Sequence, residues 1–184
     1  MIGVLVSGAG TNLQALLDAG LPVSAVASNT AGVQALERAE RHSVPAAVFP
    51  EEDYADRADR DEAMADWLDA HSVELVVCAG YMQLVSRGFL GRFPCINVHP
   101  SLLPAFPGLD AVGRAIEADA KETGVTVHFL DEGVDTGPVI AQERVAIEPG
   151  DTVETLHERL HAVEHRLLPE AVSLYLAGAI GSRP

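Results

Sequence analysis

Cysteine is scarce in this chain: Cys78 and Cys95 are the only two among 184 residues. Two isolated thiols, each in or beside an apolar run, supply neither a metal-ligand set nor a disulfide framework, and they read as reduced packing residues. Positive charge is scarce as well. Lys121 is the one lysine, and Lys plus Arg number 12 against 27 Asp plus Glu, a formal net charge of −15. Such a field repels phosphate backbones and disfavours a nucleic-acid partner. It leaves room for a small anionic ligand, because N–H groups at a helix start bind phosphate locally. No apolar run is long enough to span a membrane. The start, Met1-Ile2-Gly3-Val4-Leu5-Val6, lacks the basic region of a signal peptide and reads as a first strand of a cytoplasmic protein.

What is present is an ordinary globular composition, with 48% apolar residues and a length that suits one domain over residues 1–184. No internal repeat, linker or low-complexity tract divides it. The most informative stretch is Cys95-Ile96-Asn97-Val98-His99-Pro100-Ser101-Leu102-Leu103-Pro104. Asn97 and His99 stand two apart, so on an extended backbone both side chains point to one face. The two prolines then stiffen the exit and discourage an ordinary helix.

Upstream, Val4–Ser7 reads as a buried strand followed by Gly8-Ala9-Gly10-Thr11-Asn12 and a helical pattern from Leu13. Strand, glycine loop and helix open many phosphate-binding α/β folds. The alternative is a plain tight turn with Thr11 as N-cap and Gln14 closing a capping box. The spacing matches neither the dinucleotide fingerprint nor a Walker loop, so a single phosphate fits better than NAD or ATP. Further strands are expected at 23–28, 45–50 and 73–80, the last almost wholly apolar, as when helices cover both faces of a sheet. It leads into Tyr81-Met82-Gln83-Leu84-Val85, at a strand's carboxyl end where open α/β sheets bind ligands; pocket wall and core packing both fit this segment.

Helices are expected at 31–42, 51–71 and 110–120. In the second, Ala63, Met64, Trp67 and Leu68 form the apolar stripe, the carboxylates read as a solvated face, and Arg57 and Arg60 read as surface ion-pair members or ligand anchors. Two strands, 124–130 and 139–147, are separated by the acidic, glycine-rich Asp131–Pro138, compatible with a hairpin. A long helix follows from about Thr152, with Asp151 as N-cap and Glu154 three residues on, and Pro169 should kink or interrupt it near Leu168.

Asn97, His99 and Asp135 together suit acyl chemistry. Histidine holds or releases a proton near neutrality. A carboxylate beside the ring favours the imidazolium, and an asparagine NH₂ donates to a carbonyl oxygen that gains charge at a tetrahedral centre. Taken singly, His99 also reads as a satisfied histidine near the core, and Asp135 as a turn residue. His128, mid-strand, reads as structural, as do His42, His71, His157, His161 and His165. Ser101 follows no nucleophile elbow.

Ser7–Asn12, Ala79–Met82, Asn97–Pro104 and Asp131–Pro138, in this order and spanning nearly the whole chain, resemble the phosphoribosylglycinamide formyltransferase family. The resemblance implies an α/β fold with a Rossmann-like, mostly parallel twisted sheet, helices on both faces and an antiparallel strand near the C-terminus. It implies 10-formyltetrahydrofolate as co-substrate, glycinamide ribonucleotide as acceptor, no metal, and a monomer or homodimer. By the same resemblance Asn97, His99 and Asp135 are catalytic. Gly10, Thr11, Asn12 and Glu164 contact the ribonucleotide. Arg57, Met82, Gln83, Leu84, Val85, Asn97, Asp131, Glu132, Gly133 and Val134 line the folate pocket. Two departures stand out: Gln83 where many relatives carry arginine, which removes a possible charge contact, and Asp110 where some carry histidine. Rival readings are a formyl-tetrahydrofolate hydrolase, which usually carries a regulatory domain ahead of the catalytic one; a methionyl-tRNA formyltransferase, which usually carries a further domain; and a non-catalytic nucleotide-binding module using only the first glycine loop.

Overall fold

The computed structural model describes residues 1–181, which form two compact units, one of residues 1–96 and one from Asn97 onward. Strand β1 (Ile2–Val6) of the first unit is buried at every residue, which explains its unbroken apolar run. It pairs in parallel with β2 (Val23–Ser28) and β4 (Leu75–Cys78), and β2 pairs in parallel with the short β3 (Ala46–Val48), giving the order β3-β2-β1-β4. Leu5 lies opposite Cys78, so the loops leaving β1 and β4 emerge side by side at one carboxyl edge. Both cysteines are buried and free, and burial first, with the charge of Asp61 adding to it, pushes the Cys78 thiol up to about 12.

Helices α1 (Thr11–Asp18), α2 (Gln34–Arg41), α3 (Arg57–Ala70) and α4 (Arg87–Arg92) complete this unit, with a single 3₁₀ turn at Glu51–Asp53. Thr11 does not cap α1. The N-cap is Gly10, in the left-handed region at φ 70° and without a side-chain cap. A Cβ there would lie 2.6 Å from the Cβ of Ala35, so both conformation and the close approach of α2 demand glycine. The acidic stretch expected to be one helix over 51–71 is split, because Asp56 caps α3 by accepting from the N–H groups of Ala58 and Asp59. Nor is its charged face wholly solvated. Arg60 and Asp61 are 1% and 0% exposed.

Strand β5 (Cys95–His99) ends in the second unit, where the order is β5-β6-β7. β6 (Glu122–Phe129) is buried from Thr123 onward, while β7 (Val139–Ala146) alternates between exposed and half-buried positions and runs antiparallel to it. The register of this hairpin shifts between Val127 and His128, so that Val127 faces Ala141 and His128 faces Val139. The extra residue on β7 is a bulge, the device that re-aims side chains at strand ends. Helix α5 (Ala111–Glu117) precedes β6, and α6 (Val153–Leu176) packs against both strands and buries Leu156, Leu160, Leu167 and Leu168.

The cap of α6 is Thr152, in a reciprocal box with Thr155, and not Asp151. Asp151 is instead paired with Arg159 at 2.5 Å, which holds its carboxyl well below the usual range. Pro169 does not interrupt α6. It is buried between Leu168 and Ala171 on the packed face, and the apolar contacts of that face outweigh one missing backbone hydrogen bond.

Candidate active site

In the first unit the glycine loop and the start of α1 form one feature. The N–H groups of the first turn of α1 have no partner within the helix, whose first internal bond runs from Gln14 N to Gly10 O. Gly8 has open space where a Cβ would sit, unlike Gly10. Thr11 is half-buried and Asn12 is 7% exposed. Arg38 of α2, passed over in the sequence, braces this loop through Ala9 O at 2.8 Å and Gln14 Oε1 at 3.1 Å. The neighbouring loop after β4 is joined to it: Met82 N donates to Ser7 Oγ at 2.8 Å. Met82 and Leu84 are 65% and 53% exposed, and Gln83 and Val85 are half-buried. Arg57 is the exposed first residue of α3.

In the second unit Asn97, His99 and Asp135 meet, and His128 joins them. Pairing of β5 sets Asn97 and His99 on one face, and the segment after His99 folds back over the ring. Ser101 Oγ donates to Ala105 O at 2.5 Å, and Thr126 Oγ1 donates to Ser101 O at 2.6 Å. Gln142 braces the same turn through Leu103 O at 3.0 Å. Ser101 is thus a staple of the loop. Its turn delivers the Phe106 carbonyl to within 2.8 Å of His99 Nε2. A carbonyl only accepts, so Nε2 carries a hydrogen. The other nitrogen, Nδ1, faces Asp135 Oδ2 at 3.3 Å. A neutral ring would turn a lone pair toward that carboxylate, whereas the imidazolium turns an N–H toward it. Only the protonated ring makes an ion pair with Asp135.

Asp135 sits in the left-handed region at φ 54°, in the loop between β6 and β7. Gly137, two residues on, passes so close to β6 that a Cβ would lie 1.9 Å from the Phe129 carbonyl oxygen. Asp135 Oδ2 also accepts from Gly108 N at 2.7 Å. Burial raises the pKa of this carboxyl, but the His128 ring, the Gly108 N–H and the charge of His99 outweigh burial and hold it below the usual value. The turn-forming role belongs to Asp131, which accepts from Gly133 N at 3.0 Å and Thr136 Oγ1 at 2.7 Å. Glu132, Gly133 and Val134 are exposed around it.

His128 is fully buried, and its environment is more than structural. Nδ1 lies 2.8 Å from the Phe129 carbonyl oxygen and must donate to it. Nε2 lies 3.2 Å from Asn97 Nδ2 and 3.5 Å from Asp135 Oδ1, and the Asn97 NH₂ donates to the same Oδ1 at 3.4 Å. The carboxylate only accepts, and this sets the donor edge of the amide. Both contacts of the NH₂ are long, so it can turn to a stronger acceptor such as an oxyanion. The bulge beside His128, which the sequence pattern does not reveal, aims the ring here. Glu164 is 4% exposed on α6, and Asp110 stands at the N-cap of α5 at φ 53°. Among the described residues no three His, Cys, Asp or Glu groups cluster for a metal ion, and no helix is long and apolar enough to cross a membrane.

Residues 1–172 match the formyl transferase family model. The phosphoribosylglycinamide formyltransferase of Bacillus subtilis is 45% identical over 77% of this chain and 73% of its own length. The chain is 42% identical to the trifunctional purine biosynthetic protein adenosine-3 of Chironomus tentans over 97% of its residues, yet spans only 14% of that relative. The crystal structure of glycinamide ribonucleotide transformylase 1 from Symbiobacterium toebii superposes with a TM-score of 0.95 at 47% identity, covering 99% of this chain and 91% of that one. That likeness carries the α/β fold with its mostly parallel sheet and antiparallel final strand. The chain belongs to the formyl transferase family, among the phosphoribosylglycinamide formyltransferases.

Proposed function

We infer that this chain transfers the formyl group of 10-formyltetrahydrofolate to the amine of glycinamide ribonucleotide, acting as one catalytic domain. The observation that carries the chemistry is the meeting of Asn97, His99 and Asp135 in one half-buried cluster, with His99 Nδ1 facing the Asp135 carboxylate. Family membership supports the two substrates.

The amine of the ribonucleotide attacks the formyl carbon, forming a C–N bond while the carbonyl π electrons move to oxygen. The Asn97 NH₂ and the positive charge of His99 stabilise that oxyanion. Asp135 keeps the imidazolium charged and oriented. When the tetrahedral centre collapses, the bond from carbon to folate N10 breaks. The proton lost by the attacking nitrogen passes to N10 by way of Asp135. The helix start at Thr11 and Asn12 binds the ribonucleotide phosphate through first-turn N–H groups, with Gly10 shaping the turn and Glu164 contacting the ribonucleotide. Arg57, Met82–Val85 and Asp131–Val134 receive the folate.

Purified protein is mixed with glycinamide ribonucleotide and 10-formyltetrahydrofolate, and release of deformylated folate is followed. Release that requires the ribonucleotide is expected. Equal release with water alone as acceptor overturns the transferase reading in favour of hydrolysis, and no release in either case overturns both.

A further inference from the structure

The segment Met82–Val85 has no regular secondary structure, yet its backbone is fastened from below. Arg60 Nη2 donates to the Leu84 carbonyl at 3.2 Å. Two residues on, Ser86 N donates to Asp61 Oδ2 at 2.5 Å. Arg60 and Asp61 are also tied to each other, because Nε and Nη2 reach Asp61 Oδ1 at 3.0 and 2.8 Å. Ser86 is the N-cap of α4, its Oγ accepting from Phe89 N at 3.3 Å, so the same carboxylate fixes where that helix starts.

Withdrawing two charges fully from water carries a desolvation cost that an interior ion pair often fails to recover as stability, and apolar side chains of similar volume serve a core as well or better. What they would not supply is a fork of donors and a carboxylate aimed at two backbone groups of a segment without regular secondary structure. Met82 and Leu84 meanwhile leave large apolar side chains open to solvent, 65% and 53% exposed. Such a surface gains from being covered by a flat apolar ligand.

We propose that Arg60 and Asp61 are positioning residues for the formyl-donor site, holding the backbone of Leu84 and Ser86 so that the 82–85 segment is set before folate arrives. This rests on the reading that 82–85 contacts the folate. Preorganisation of this kind acts on affinity for one substrate and leaves the other alone.

The test uses Arg60→Met combined with Asp61→Leu, which removes both charges together and strands neither, and Arg60→Lys, which keeps the ion pair but lacks the fork. Folding is checked by thermal melting. Binding of a non-transferring formyl-folate analogue and of glycinamide ribonucleotide is measured by calorimetry, and amide exchange is followed over residues 82–86. The double variant is expected to weaken analogue binding by about tenfold, the equivalent of one lost charge-assisted hydrogen bond. Ribonucleotide affinity should stay within about twofold, and exchange at 82–86 should accelerate. Arg60→Lys should show the same pattern, smaller, and it carries the test if the double variant does not fold. Unchanged analogue affinity in a folded variant overturns the proposal. Failure of the wild-type chain to bind the analogue at all overturns the underlying folate reading instead.

Discussion

Asp135→Asn removes one negative charge and little volume, and the surroundings of Asp135 say what that charge does. Its carboxylate faces His99 Nδ1 at 3.3 Å and His128 Nε2 at 3.5 Å, and accepts from Gly108 N at 2.7 Å. Opposite unit charges about 4 Å apart attract by ~4 kcal/mol at the effective dielectric of ~20 that suits protein sites. In the asparagine variant this attraction is lost, and the Nε2–H of His99 stays pinned by the Phe106 carbonyl. The attraction that steadies a protonated ring beside the forming oxyanion is then gone. If the charge of that ring is felt mainly in the transition state, ~4 kcal/mol corresponds to a kcat about 10³-fold lower. The same order follows from the 10²–10⁴-fold usually attributed to general acid–base groups.

The assay is formyl transfer at saturating concentrations of both substrates, with a melting curve to verify folding. Since the carboxyl is held below its usual value of 3.8, the stability it contributes is fully present above that value and is lost only as pH falls below it. Asp135→Asn should therefore flatten acid denaturation below pH ~4 without setting the activity profile near neutrality. A variant that keeps kcat within about tenfold of the parent refutes the electrostatic account of His99.

Three further outcomes follow from the same geometry. His99→Ala should lower kcat by roughly two to four orders of magnitude, read in the same assay, while ribonucleotide binding by calorimetry is little changed. Asn12→Ala should raise the Kd for glycinamide ribonucleotide and leave that of a formyl-folate analogue alone; an unmoved ribonucleotide Kd would argue against the phosphate loop. Gly10→Ala places a Cβ 2.6 Å from that of Ala35 on a backbone at φ 70°. Strain and overpacking of about 3 kcal/mol should lower Tm by roughly 6–12 °C.

Much of this was legible in the sequence because it is local. Asn97 and His99 share a face by strand spacing alone, and the buried run of β1 announces a covered central strand. What escaped was set by register and by the third dimension. Thr11 resembled a cap because serine and threonine usually are; Gly10 takes that place because α2 presses against the loop. Asp61 looked like part of a solvated acidic face and Arg60 like a surface ion-pair member or ligand anchor, although the signal that Asp61 is inside was available. Asp61, Met64, Ala65 and Leu68 recur at the spacing of one helix stripe, and all four are buried. A charged residue on an apolar stripe is an anomaly that calls for a partner, and here the partner is the preceding arginine and a loop backbone.

His128 shows why the cluster needs its hairpin as much as its motif. Alternation along β6 assigns the ring to the core, and nothing in the alternation marks the register break between Val127 and His128. Yet that break aims a fully buried imidazole at Asn97, and the loop that follows returns Asp135 to both histidines. The Phe129 carbonyl fixes Nδ1 of His128 as a donor, and the Asp135 carboxylate fixes the amide edge that Asn97 turns toward the cluster. The Phe106 carbonyl likewise fixes Nε2 of His99 as a donor. Two backbone carbonyls, one in the turn after β5 and one at the end of β6, thus each place a proton on one ring nitrogen. With those protons placed, the donor edge of the amide and the Nε2–H of His99 are set before any substrate binds, and little reorganisation remains for the moment of attack.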